Sequence, residues 1–203
     1  MTEKNPSSAD QTIFIIDDNF EVRHALQWLL KSTPFQVKTF DQGQHFFDYY
    51  QDASPESGCV IVDIQMPEMN GIQFLEHLKS LHISLPAIVL TAYGDIPITV
   101  AAMKAGAVDF MCKPINPQMF LEKIQQVMEQ NLAHTQRIKS LSARQLQIMS
   151  LILQGKLNKQ IAAELCISIS TVEQHRALVM KKMEAKTLAD LVKNALVMGF
   201  PVN

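Results

Sequence analysis

The chain has 203 residues, 47% of them hydrophobic and 19% charged, with a formal net charge of −2, a composition typical of globular proteins. Its longest apolar runs fall well short of the roughly 20 residues that span a bilayer, and its polar first eleven residues hold no apolar signal core, so a cytoplasmic protein without a membrane partner is expected. Cys59, Cys112 and Cys166 are widely separated and the six histidines are scattered, which excludes a disulfide framework and the usual zinc spacings.

Strand-like and helix-like segments alternate from residue 12 to about 125. The spacing predicts a strand over 12–16 and a helix over 21–31, with Val22, Leu26, Leu29 and Leu30 on one face. A weaker strand over 35–40 precedes a helix around 44–50. Strands over 60–62, 87–90 and 108–111 follow, with helices over 72–81 and about 98–104. A last helix starts near Pro117, where proline suits a first turn. Five βα units in this length predict a doubly wound, five-stranded parallel sheet with right-handed connections.

That helix can continue through 125–139, which has no Pro or Gly, as a linker. From Leu141 onward there is no strand signal. Helices are predicted over 143–154, 159–165, 171–183 and 188–198. Gly155 suits a helix stop, and Asn158, Ser170 and Thr187, or their neighbours, suit N-caps. Two short helices joined by Cys166-Ile167-Ser168-Ile169 have helix-turn-helix spacing. The expected organisation is an α/β domain over 1–125, a helical linker over 126–140 and a smaller all-α domain over 141–203.

Charge divides the same way. Residues 1–125 hold 8 basic and 15 acidic residues, a balance of −7; residues 126–203 hold 10 and 5, a balance of +5. A basic C-terminal part points to nucleic acid as its partner.

The chemistry collects at strand ends. Asp17 and Asp18 follow Ile13-Phe14-Ile15-Ile16, Asp63 follows Val60-Ile61-Val62, Thr91 follows Ala87-Ile88-Val89-Leu90, and Lys113 follows Phe110-Met111-Cys112. One Asp after a strand is ordinarily a turn residue or a helix cap. In an open α/β sheet, however, ligands bind beyond the carboxyl ends of the strands, so these five side chains would share one crevice. Three neighbouring carboxylates repel one another, and a divalent cation removes that cost; an all-oxygen, incomplete ligand set favours Mg²⁺. Asp63 could then act as nucleophile toward phosphorus, giving an acyl phosphate. Lys113 could neutralise phosphoryl charge, and Thr91 could donate a hydrogen bond to a phosphoryl oxygen.

Four motifs carry a resemblance. Ile15-Ile16-Asp17-Asp18, Val62-Asp63-Ile64-Gln65-Met66-Pro67-Glu68-Met69-Asn70-Gly71, Leu90-Thr91-Ala92 and Phe110-Met111-Cys112-Lys113-Pro114 resemble the flavodoxin-like receiver domain of two-component response regulators. The resemblance implies phosphorylation of Asp63 by a histidine kinase. It implies Asp18, Asp63 and the Gln65 carbonyl as Mg²⁺ ligands, with Asp17 assisting through water. Thr91 and Phe110 become the hydroxyl/aromatic switch, Lys113 the phosphoryl-binding lysine, and Lys113–Pro114 a cis bond. Such a protein is not a conventional enzyme; it catalyses its own phosphoryl acceptance and a slow autodephosphorylation, with Gln65 and Tyr93 flanking the acceptor. The stretches 91–97 and 103–110 are closer still to the FixJ-like branch.

Leu141-Ser142-Ala143-Arg144-Gln145, the run from Gly155 to Ala162 and the run from Ser168 to Arg176 resemble the LuxR-type helix-turn-helix. Where that family more often reads Thr-Pro-Arg-Glu, this chain has Ser142-Ala143-Arg144-Gln145, an amide replacing a capping acid. A helix beginning at Ser170 can place its N-terminal residues in the major groove of double-stranded DNA. Thr171, Glu173, Gln174 and Ala177 are the base-facing candidates. Lys159, Arg176, Lys181 and Lys182 are the phosphate candidates, with Ser170 bonding a phosphate through its hydroxyl or backbone. Val172, Val179 and Met183 form a stripe suited to core, and His175 fits a structural role as well as a DNA contact.

These resemblances imply a phosphorylation-controlled transcription regulator. Phosphorylation would draw Thr91 inward, let Phe110 fill the space, and remodel the face formed by residues 96–105 and 108–111. That face would then support a homodimer and release of the DNA-binding domain. Ile96, Ile98 and Val100 make it apolar. A phosphoryl relay or sink is disfavoured by the DNA-binding tail, a mere dimerisation scaffold by the intact acidic site, and a stand-alone phosphatase by the missing DxDxT motif.

Overall fold

The structure, a computed structural model, describes residues 11–52, 57–92 and 96–197. Two compact units are present, Met1–Asn131 and Leu132–Asn203. Tyr93 and Met198, which the sequence reading used, lie outside the described residues.

The first unit contains β1 (Gln11–Ile16), α1 (Phe20–Leu30), β2 (Gln36–Phe40), α2 (Gly43–Asp52), β3 (Ser57–Asp63), α3 (Gly71–Ser80), β4 (Ala87–Thr91), α4 (Ile96–Ala105), β5 (Asp109–Cys112) and most of α5 (Pro117–Lys139). The five strands are all parallel in the order β2-β1-β3-β4-β5. Strand alternation explains why the central runs are continuously apolar, since each face must meet helices. Ile13, Ile15, Ile61, Ile88, Leu90 and Met111 pack with Leu26 and Leu30 of α1 and Phe120 and Ile124 of α5. Phe14, Ile16, Val60, Val62 and Val89 pack on the other face with Phe46 and Phe47 of α2, Phe74, Leu75 and Leu78 of α3 and Ala102 of α4. The sheet is therefore doubly wound, and its order reverses between β1 and β3. A crevice opens at that switch point, beyond the carboxyl ends of the two strands.

Element identities match the sequence reading, with instructive shifts in boundary. β3 starts at Ser57, three residues before the expected run, because Gly58 continues the strand beside β1: a Cβ there would lie 1.8 Å from the Thr12 carbonyl oxygen. α4 begins at Ile96, two residues early, and Ile98 packs against the core.

The second unit contains the end of α5, α6 (Ala143–Leu153), α7 (Asn158–Glu164), α8 (Ile169–Lys182) and α9 (Leu188–Val197). Ile148, Ile152, Ile161, Val172, Val179, Met183 and Leu191 form its core, so the α8 stripe is buried as its spacing required. Gly155 takes φ 75° just after α6, a left-handed stop that glycine adopts without strain. Ser168, not Ser170, caps α8, accepting the Thr171 N–H at 3.1 Å. The Ser142–Gln145 substitution keeps its cap: Ser142 Oγ accepts the Gln145 N–H at 3.2 Å, and Gln145 Oε1 accepts the Ser142 N–H at 3.0 Å. An amide oxygen fills this acceptor role without a charge.

The cysteines differ in environment. Cys59 is fully buried and its thiol is pushed up to about 12 by burial, whereas Cys112 and Cys166 are exposed. Iodoacetamide on the native protein at neutral pH is expected to modify Cys112 and Cys166, leaving Cys59 until denaturant is added. Peptide mass mapping reads this directly, and equal labelling of all three would contradict the burial of β3.

Candidate functional site

Each side chain of the crevice is held by its strand end. Asp17 immediately follows β1, and its N–H donates to the Phe40 carbonyl of β2 at 3.2 Å. Its Oδ1 accepts the Asn19 N–H at 2.9 Å, and Asn19 in turn caps α1 through the Glu21 N–H at 2.9 Å. Arg23 donates to the carbonyls of Asp17 and Asp18 at 2.6 and 2.9 Å, bracing the loop by its backbone. The two carboxylates are thus left for other partners. The sequence reading missed Arg23, because a bond to carbonyl oxygens leaves no pattern in residue type.

Asp63 ends β3, with its Oδ2 accepting the Gln65 N–H at 3.2 Å. Ile64 N–H donates to Leu90 O at 2.9 Å and Gly71 N–H to Ile64 O at 3.0 Å, which draws α3 against the strand end. Here glycine is required by approach: a Cβ at Gly71 would sit 2.5 Å from the Asp63 carbonyl oxygen. The Asn70–Gly71 pair was the available signal for this turn. Asn70 then caps α3, in a capping box with Gln73.

Lys113 enters from the loop after β5. Its N–H donates to the Thr91 carbonyl at 2.7 Å, and its bond to Pro114 is cis. The ammonium lies 2.8 Å from Asp17 Oδ2 and 2.8 Å from Asp63 Oδ1. Asp17, Asp63 and Thr91 are buried, and Asp18 is exposed at the mouth. Burial pushes the Asp63 carboxyl above its ordinary value, more than the Lys113 ammonium pulls it down, and the Asp17 charge adds to the rise. For Lys113, burial opposes the charge, but its bonds to Asp17 and Asp63 outweigh that and hold the ammonium above its ordinary value.

Ligand oxygens of Asp17, Asp18 and Asp63 all lie within 4.8 Å of one another. Three hard oxygen donors at this spacing, open to water on the Asp18 side, fit a divalent cation such as Mg²⁺.

Strand register places the remaining groups. Thr91 pairs with Cys112, and Phe110 pairs with Val89 two rungs back. Thr91 continues the Ala87–Val89 face of β4, so Phe110 lies on the same α4-side face. Phe110 is 37% exposed, alongside Ile96 at 75%, Val100 at 45% and Met103 at 45%. An apolar face thus runs across α4 and β5, without Ile98, which is half-buried.

On α8, Ser170, Glu173, Gln174, Ala177 and Lys181 are exposed, and their spacing puts them on one side of the helix. Lys159 on α7 is also exposed. Thr171 is half-buried, its hydroxyl 2.7 Å from Ser168 Oγ, and Ser170 Oγ lies 2.8 Å from the same oxygen. Arg176 is half-buried, with Nη1 3.4 Å from Asn158 Oδ1. Lys182 leaves the exposed stripe: its ammonium donates to the Ser140 carbonyl and, at 2.9 Å, to Gln145 Oε1. Among the described residues, no helix is long and apolar enough to cross a membrane.

Residues 13–125 match the family model for the response regulator receiver domain, and residues 139–195 match that for bacterial regulatory proteins of the luxR family. The chain is 40% identical over 201 residues to the transcriptional regulatory protein FixJ of Rhizobium meliloti (strain 1021), covering 94% of this chain and 98% of that protein. It is 36% identical over 200 residues to the response regulator protein TodT of Pseudomonas putida, covering 94% and 87%. Among solved structures, full-length FixJ from B. japonicum aligns with a TM-score of 0.55 at 36% identity, covering 94% of this chain and 98% of that one. The response regulator StyR aligns with a TM-score of 0.54 at 38% identity, covering 92% and 98%. A phosphorylation-type acidic crevice on a doubly wound sheet, followed by a helix-turn-helix unit and matched along almost the whole chain, makes this protein a member of the response-regulator family, in its FixJ-like branch of transcription regulators.

Proposed function

We propose that Asp63 takes a phosphoryl group from a histidine kinase and that this event controls DNA binding by the C-terminal unit. The observation that carries the reading is the Lys113 ammonium bridging Asp17 and Asp63 at the sheet's switch point. We assign the receiver to residues 1–125, the linker to 126–140 and the DNA-binding domain to 141–203, in keeping with the spans matched by the two family models.

In the transfer, an Asp63 carboxylate oxygen forms a bond to phosphorus as the bond from phosphorus to the kinase's imidazole nitrogen breaks. The leaving imidazole carries its electron pair away and takes a proton from water. Lys113, already aimed at the acceptor oxygen, meets the incoming phosphoryl charge; fixed opposing charge of this kind lowers the barrier without reorganisation. Asp18, Asp63 and the Gln65 carbonyl would hold Mg²⁺, with Asp17 assisting through water, and the ion would neutralise further phosphoryl charge. Gln65, exposed at the rim, is placed to influence slow hydrolysis of the acyl phosphate.

The output follows from the face that Thr91 of β4 and Phe110 of β5 share. Thr91 donates its hydroxyl to a phosphoryl oxygen, and Phe110 turns in toward the vacated space. The apolar α4–β5 face is thereby reshaped and pairs with a second copy. Phosphate shifts the population because the dimer-competent state binds it better. Dimerisation then presents two helix-turn-helix units, whose Thr171, Glu173, Gln174 and Ala177 read bases while Lys159, Ser170, Arg176 and Lys181 hold phosphates.

Light-scattering mass with Mg²⁺, before and after acetyl phosphate or a beryllium fluoride mimic, tests this. A doubling of mass with one acyl phosphate per chain by mass spectrometry is expected. A phosphorylated chain that stays monomeric would overturn the dimer step, and absence of the acyl phosphate would overturn the reading as a whole.

A further inference from the structure

We infer that Lys182 is a positioning residue that clamps the C-terminal end of α8 to the end of the linker helix α5, so that the DNA-reading helix and the linker terminus move as one piece. Lys181 and Lys182 are adjacent in sequence and alike in charge, yet the structure gives them different surroundings. Lys181 is exposed on the stripe with Ser170, Glu173, Gln174 and Ala177. Lys182 turns the other way, its ammonium shared between the Ser140 carbonyl just beyond α5 and Gln145 Oε1 on the first turn of α6.

Gln145 is buried, at 6% exposure, and its Oε1 accepts from both the Ser142 N–H and Lys182. The side chain that caps α6 is therefore also the acceptor that seats α8. A second strut lies close by: Arg137 of α5 pairs with Glu184, two residues beyond α8. The segment between these struts is short and fixed. Ser140 N–H donates to Gln136 O at 3.0 Å, Leu141 N–H donates to Ile138 O at 2.9 Å, and Ile138 and Leu141 pack into the core of the unit. From the far side, Asn194 of α9 donates to Met183 O at 2.9 Å. The last turn of α8 is thus gripped by α5, α6 and α9, while Ser170, Glu173 and Gln174 of its first turns stay exposed.

A clamp of this design has a use in the reading proposed above, on which that use rests. Any change imposed on α5 reaches the reading helix as a rigid displacement rather than being absorbed in a slack joint. A loose tether would instead let the two segments reorient independently. The neutral acceptors matter too. Gln145 holds the ammonium by hydrogen bonds alone, so a Gln145→Glu change adds an ion pair and should tighten the clamp.

Two measurements on the full chain test the assignment. In a background with Cys112→Ser and Cys166→Ser, spin labels at Gln136→Cys and Gln174→Cys should give one narrow distance distribution. It should broaden in Lys182→Met, broaden further with Glu184→Gln, and stay narrow in Lys182→Arg. Thermal loss alone would not produce this pattern in the folded population. An unchanged width in the Lys182→Met, Glu184→Gln double variant overturns the clamp. The second measurement is the salt dependence of binding to a fluorescein-labelled duplex of random sequence. Lys181→Ala should flatten the log–log slope by about 1, the contribution of one neutralised phosphate, while Lys182→Met leaves the slope unchanged. An equal flattening by Lys182→Met makes Lys182 a phosphate contact and overturns the assignment. Failure of the wild-type chain to bind the duplex would count against the DNA reading alone, because the distance measurement stands without DNA.

Discussion

Asp63→Asn is expected to yield a folded chain that acquires no phosphoryl group and shows no change of mass or of DNA affinity on treatment with acetyl phosphate and Mg²⁺. The amide is nearly isosteric, and its oxygen can still accept from the Lys113 ammonium, as Asp63 Oδ1 does at 2.8 Å, leaving the Gln65 N–H at the exposed rim to water. Its uncharged oxygen, however, is a poor nucleophile toward phosphorus, so the acyl phosphate has no site to form. Stability should not suffer. Burial and the neighbouring Asp17 charge both push the Asp63 carboxyl upward, which means the ionised form is held at a cost. Removing that charge relieves the cost while Lys113 keeps Asp17 as partner. Intact mass after acetyl phosphate, light scattering and a thermal midpoint check the three parts separately. Undiminished phosphorylation of the variant would move the acceptor away from β3; a lost response together with a much lower midpoint would mean only that the fold had failed.

The acidic crevice was legible in the sequence because a parallel strand buried on both faces reads as an uninterrupted apolar run, and its end is marked by the first polar residue. Ile16 to Asp17, Val62 to Asp63 and Leu90 to Thr91 are such transitions, and the structure buries all three polar residues at the strand ends. Gly58 shows where the rule misleads. It looks like a strand breaker, but only the neighbouring chain, approaching from Thr12 some 46 residues away, explains why glycine is there. The α8 start was misplaced for a related reason. Ser168, Ser170 and Thr171 are all competent caps, and the structure satisfies them in one hydroxyl cluster rather than choosing by residue type. Lys181 and Lys182 are the clearest limit. Composition makes them equal phosphate candidates, and only the placement of Ser140 and Gln145 separates them. The clue was that Lys182 sits three residues from Val179, on the flank of the buried stripe, where a long side chain can reach inward. On α4, Ile96, Val100 and Met103 are exposed while Ile98 is half-buried against the core, since a helix lying on a sheet must bury one side.

Lys113→Met is expected to do the reverse of Asp63→Asn on stability while also abolishing the phosphorylation response. The ammonium is the cation that the structure places 2.8 Å from both Asp17 and Asp63, and Asp17 is completely buried. Taking away one member of a buried charge group leaves the others uncompensated, a loss of about 3 kcal/mol. The sign of its pH dependence follows from the raised Lys113 value. The stabilisation is complete below the ordinary lysine value of 10.5 and is lost as pH rises through the higher value in the folded chain. The gap between wild type and variant should therefore hold through neutral pH, shrink in strong alkali as Lys113 loses its proton, and narrow again in acid once the Asp63 carboxylate it pairs with is protonated. Mg²⁺ supplies the discriminating control. With the ammonium gone, three carboxylates within 4.8 Å bind a divalent cation against less repulsion. Added Mg²⁺ should then raise the variant's midpoint by more than it raises that of wild type, since a ligand stabilises by RT ln(1 + [L]/Kd). Restored stability without restored phosphorylation would separate the two duties of Lys113, neutralising the resting crevice and receiving the phosphoryl charge. An Mg²⁺-independent variant as stable as wild type would show that the ammonium is not what holds Asp17 and Asp63 together.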